Sequence, residues 1–108
     1  MSFDPMAAAI DWLDAYRASD LETILTMYAD DAVVECSCCV SETIVDKSRL
    51  RAFWIERLND CRALNLDNIE PVARGTSISY RACDGIVNAI LDFDPDGKIT
   101  FMRWGSPR

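Results

Sequence analysis

From about Leu66 onward the sequence reads as strands separated by turn residues, and Ser77 to Cys83 alternates with a period of two, Ile78, Tyr80 and Ala82 against Ser77, Ser79 and Arg81. The pattern predicts four successive strands, over 66–74, 77–83, 86–93 and 98–104. Strands joined by turns this short can pair only as antiparallel neighbours, because a parallel return needs a long crossover. Asp84-Gly85 is a two-residue hairpin signal, and Asp94-Pro95-Asp96-Gly97 is a second turn with Gly97 suited to positive φ. Pro71 has no N–H to donate, which points to an edge strand or a bulge.

The first half has a different grammar. Met6, Ala9, Ile10, Leu13 and Tyr16 recur three and four apart, so one helix should begin at Pro5 under an Asp4 cap. Asp20 should cap a second, short helix through Leu21, Ile24, Leu25 and Tyr28. The segments 32–36 and 41–45 read as strands. Asp46 or Ser48 then caps a third helix, with Leu50, Phe53, Trp54, Leu58 and Cys61 on one side. Helices and strands are segregated, so the class is α+β: helices laid on one face of a twisted antiparallel sheet.

At 108 residues the chain is expected to be one domain over 1–108. The formal net charge of −7 speaks against nucleic acid and anionic membrane as partners. The first residues lack a basic segment followed by a long apolar run, and no apolar stretch is long enough to span a bilayer, so a reducing cytoplasm is the expected compartment.

The 86–93 strand is apolar on both sides. Val87, Ala89, Leu91 and Phe93 form one face, and Ile86 and Ile90 stand on the other. The last strand repeats this, with Ile99 and Phe101 opposite Met102 and Trp104. Helices can cover only one face. A homodimer packed through the outer face, at Ile86, Ile90, Ile99 and Phe101, is therefore expected.

The run from Asp20 to Ala32, ending Tyr28-Ala29-Asp30-Asp31-Ala32, and the hairpin Phe93-Asp94-Pro95-Asp96-Gly97-Lys98-Ile99 resemble segments of the nuclear transport factor 2-like superfamily, in its SnoaL-like branch. The resemblance covers nearly the whole chain. It implies three helices on a curved antiparallel or mixed sheet, a cone-shaped (cystatin-like) fold with an internal pocket. It specifies function poorly, because that superfamily hosts both enzymes and non-catalytic members.

Aligned in this way, the three groups that steroid isomerisation needs fall on Cys36, Trp12 and Ala89, which cannot supply them. Asp92 and Arg103 have outer-face parity, which disfavours the epoxide-hydrolase arrangement. With no histidine, dehydratase chemistry and the commonest metal ligand are both missing.

The residues expected to line the pocket are Trp12, Tyr16, Tyr28, Val34, Cys36, Phe53, Trp54, Ala89, Leu91, Met102 and Trp104. Each could equally be plain core, but as a set they fit the wall of an aromatic hollow. Cys36 is the one catalytic candidate, within the cluster Cys36-Ser37-Cys38-Cys39. That spacing is poor for zinc, so no metal and no cofactor are expected, and the five cysteines are odd in number, which argues against a closed disulfide framework. The acidic pairs read as caps, turns and solvated faces. Arg49, Arg51, Arg57 and Arg62 mark the solvent side and ends of the third helix.

The favoured reading is a binding protein for a small apolar or aromatic metabolite, with a hollow free of buried carboxylate or cation. The alternative is a SnoaL-like enzyme acting on a cyclic carbonyl or polyketide-like substrate through Cys36 or a tyrosine. A third reading is an interaction scaffold whose hollow is filled by side chains.

Overall fold

A computed structural model describes residues 4–36, 42–60, 63–73, 75–83 and 85–104; of Cys36, Glu42 and Asp60 it describes the backbone only. Among these residues the order is α1 (Pro5–Arg17), α2 (Leu21–Thr26), β1 (Tyr28–Cys36), β2 (Glu42–Ile44), α3 (Lys47–Asp60), β3 (Leu66–Val72), β4 (Gly75–Ala82), β5 (Gly85–Phe93) and β6 (Ile99–Trp104). The six strands form one sheet in the order β2-β1-β6-β5-β4-β3. Every neighbouring pair is antiparallel except β1 with β6, which run parallel. The sheet is therefore mixed.

The helix starts follow from their caps. Asp4 accepts from the Met6 N–H at 3.0 Å with Pro5 in the first turn, and Asp20 accepts from the Thr23 N–H at 3.3 Å and its hydroxyl at 2.8 Å. Asp46, not Ser48, caps α3, its carboxylate accepting from the Ser48 N–H at 3.4 Å. At the 94–98 turn, Asp94 accepts from the N–H groups of Asp96 and Lys98, both at 2.9 Å, while Gly97 takes φ +86°. Pro71 lies in the edge strand β3, where a missing donor costs nothing.

Two boundaries differ from the expectation. Tyr28 does not end α2 but opens β1, paired with Ile99, whose N–H donates to the Met27 carbonyl at 2.8 Å. The register between β1 and β6 shifts between Tyr28 and Val33, so the Asp30-Asp31 stretch bulges out to solvent. The second difference is in β6. Its pairing with β5 shifts between Asp92 and Phe93, so Asp92 opposes Phe101 while Phe93 opposes Ile99. The extra residue reverses the side-chain alternation: Ile99 turns inward and is fully buried. Ile99 thus leaves the outer-face set, and Ile86, Ile90 and Phe101 remain there, half-buried.

The inner face carries the core. Thr76, Ile78, Tyr80 and Ala82 of β4, with Val87, Ala89 and Leu91 of β5, are all buried against the helices. On the outer face Asn88 donates to the Ser77 and Ser79 hydroxyls at 2.9 and 3.0 Å, and Arg103 pairs with Glu35 at 3.3 Å. None of the described helices is long and apolar enough to cross a membrane.

Candidate functional site

Helix α1 places Trp12 and Tyr16 one turn apart on its buried side, and α3 places Phe53, Trp54 and Arg57 on the side that meets them. Strands β4 and β6 bring up Tyr80 and Trp104 from below. The rings converge. Trp12 lies 5.6 Å from Tyr16 and 6.0 Å from each of Trp54, Tyr80 and Trp104, centroid to centroid. Tyr16 stands edge-on to Trp54 at 4.8 Å and to Tyr80 at 5.4 Å. Most of these pairs are T-shaped, the arrangement that sets a ring edge against a neighbour's electron-rich face. Trp12, Tyr16, Trp54 and Tyr80 have no exposed surface, and Trp104 is 1% exposed.

Two polar centres lie within this cluster. In the first, the Tyr28 hydroxyl accepts from Trp12 Nε1 at 3.3 Å and donates to Met102 Sδ at 3.3 Å. In the second, Trp104 Nε1 donates to the Tyr80 hydroxyl at 2.7 Å, and Arg57 Nε donates to the Tyr16 hydroxyl at 3.1 Å. The Arg57 guanidinium also lies over the Trp104 ring, 4.7 Å from its centroid. Among the described residues, Trp54 Nε1 is buried without a hydrogen-bond partner, as is the Thr76 hydroxyl.

Burial pushes the Tyr28 phenol well above its ordinary value of 10.0; the indoles of Trp12 and Trp54 only partly offset it. Burial likewise raises Tyr80, reinforced by Tyr16 and opposed by Arg57 and Trp104. Both phenols are neutral donors at neutral pH, not bases. Burial alone would lower Arg57, but the Tyr16 and Tyr80 hydroxyls beside it outweigh that, and it stays protonated. A raised folded-state value means the unfolded chain gives up these phenol protons first. Stability is then fully present below pH 10.0 and falls above it. An alkaline titration followed at 295 nm should show Tyr28 and Tyr80 ionising only as the circular dichroism of the fold is lost; early, reversible ionisation of all three tyrosines would contradict the burial.

Of the residues expected to line a pocket, Trp12, Tyr16, Tyr28, Val34 and Trp54 are buried on the inner side, as are Ala89, Leu91, Met102 and Trp104. Phe53 is half-buried, 5.1 Å from Trp104. Cys36 lies in register with Trp104 and Glu42, and its side chain is outside the described residues, as are Cys38, Cys39 and Cys61. Cys83 is disulfide-bonded. Asp92 and Arg103 do lie on the outer face, as their parity implied.

Arg57 and Tyr80 were missed. Arg57 follows Phe53 by four residues and Trp54 by three, so the helical spacing already put it on the inward side. Its half-buried guanidinium stands against the rings. Among the described residues, the concavities include an open groove of about 560 Å³ along Asp14, Arg17, Ala18, Ala63, Leu64 and Asn65, and a shallow one of about 180 Å³ lined by Ile44, Arg49, Ala52, Glu56 and, from the edge of the ring cluster, Phe53. Among the described residues no group of three or more His, Cys, Asp or Glu side chains is gathered as a metal site.

No protein-family model matches the sequence, and no curated protein matches it. The fold does match: 284 solved chains resemble it. One is the crystal structure of a SnoaL-like protein of unknown function from Burkholderia thailandensis, with a TM-score of 0.80 and 24% sequence identity, covering 90% of this chain and 89% of that one. The likeness places the three helices and mixed sheet in the SnoaL-like, nuclear transport factor 2-like fold. It brings no activity with it, since a shared fold does not carry a function.

Proposed function

We propose that this SnoaL-like fold serves as a binding module for a small apolar or aromatic molecule, held without transformation by a homodimer. The observation that carries the reading is the indole N–H of Trp54, fully buried among rings and making no well-formed hydrogen bond among the described residues. An orphaned buried donor costs about 1–3 kcal/mol. In native proteins such groups are normally met by a water or a bound molecule. A ligand oxygen accepting from Trp54, with its apolar body against the rings, would recover that cost.

Both buried phenols with raised values are neutral, and the described inner face has no buried carboxylate, so an acid–base pair is missing there. The half-buried Ile86, Ile90 and Phe101, with Val33 beside Phe101, support self-association through the outer face. Native mass spectrometry of freshly purified protein should give the dimer mass with a small organic adduct that collisional activation releases. A bare monomer that also fails to take up any added neutral aromatic compound would overturn the reading.

A further inference from the structure

We propose that Arg57 receives the carboxylate of an aromatic or other apolar acid, whose ring lies against the half-buried Phe53. The inference deepens the proposed function and rests on it, naming the ligand as an anion.

Three features of Arg57 carry the argument. Its guanidinium is half-buried, stacked on Trp104 at 4.7 Å and tied to Tyr16 through Nε at 3.1 Å. The planar fork is thus held in one orientation before any ligand arrives, which lowers the entropy lost on binding. Second, no carboxylate lies within ion-pair distance of it among the described residues. The chain has 18 acidic residues against 11 basic ones, and its exposed cations find partners readily: Arg51 with Glu22 at 2.6 Å, Arg103 with Glu35 at 3.3 Å, Lys47 with Asp30 at 3.4 Å. A half-buried cation left without one among the described residues, in an acidic protein, offers its charge to an anion from outside. Third, Phe53 stands one helical turn before Arg57, also half-buried and also against Trp104, at 5.1 Å. The pair offers an apolar plate and a fork side by side, the complement of an aromatic ring bearing a carboxylate. The overall charge of −7 repels anions in general, so an anion retained here must be recognised locally.

The probes are 2-naphthoate and its uncharged isostere 2-naphthamide. Binding is read from quenching of tryptophan emission, since all three tryptophans lie in the ring cluster. Wild-type protein should bind naphthoate about tenfold more tightly than naphthamide, the scale of one charge-assisted contact. Arg57→Gln should bring naphthoate down to the naphthamide level and leave naphthamide unchanged. Arg57→Lys, which keeps the charge and loses the fork, should fall between and shows that the site tolerates substitution. Arg51→Gln should alter neither probe. If naphthamide binds as well as naphthoate and Arg57→Gln changes neither, the anion assignment is wrong while the binding-module reading survives. If Arg57→Gln weakens both probes equally, Arg57 is only a packing group. If neither probe binds to the wild type, both readings fall.

Discussion

Trp12→Ala is expected to remove about 3–5 kcal/mol of stability, a large share of the roughly 5–15 kcal/mol that holds a domain of this size. The indole is fully buried and within about 6 Å, ring to ring, of four others, so its loss opens a void that the rigid neighbours cannot close. The Tyr28 hydroxyl would lose its indole donor in the same step. Urea unfolding should show the midpoint falling with little change in slope, whereas Trp12→Phe, which keeps a ring, should fall by roughly half as much. A Trp12→Ala protein within about 1 kcal/mol of wild type would mean that the cluster is looser than its geometry implies.

Gly75→Ala should be comparably severe, for a backbone reason. Gly75 has φ +117°, a conformation that L side chains rarely adopt, at the start of β4. A Cβ there would run into the Leu91 carbonyl oxygen and crowd the Asp92 Cα at 3.0 Å. Both are main-chain atoms of a paired strand, so neither can swing aside. About 3 kcal/mol or more is expected, a thermal midpoint lower by well over 10 °C. Gly97→Ala, at φ +86° in the exposed 94–98 turn, should cost only about 1 kcal/mol. Equal losses at the two glycines would show that φ alone, and not the approach of Leu91, sets the penalty.

What could be read from the sequence was local. Asp4, Asp20 and Asp94 announce their caps and turn because a carboxylate beside bare N–H groups needs no distant partner. The face of β4 follows from its alternation and that of β5 from the parity of Val87, Ala89 and Leu91; these three are buried, as are Ile78, Tyr80 and Ala82. What escaped depended on contacts across the chain. Tyr28 looks helical by spacing, yet pairing with Ile99 pulls it into a strand. The inward turn of Ile99 comes from an extra residue in β6, which no apolar pattern marks. Arg57 was given to solvent because it is charged, although its position on α3 faced inward; the rings that accept it come from α1, β4 and β6. The aromatic set was recognisable as a set. Its division into a Tyr28 centre and a Tyr16–Tyr80–Arg57 centre required coordinates.

The parallel seam between β1 and β6 has a temporal consequence. β1 is the first strand to be synthesised and β6 the last of the six, so the middle of the sheet is the part completed latest. While the polypeptide is still emerging, hairpins from β3 to β5 can form by short-range closure, but β1 waits with one edge open and its apolar residues uncovered. A released chain cut before Ile99 would therefore keep one edge of β1 open and its apolar residues uncovered, and the six residues of β6 are what close that seam.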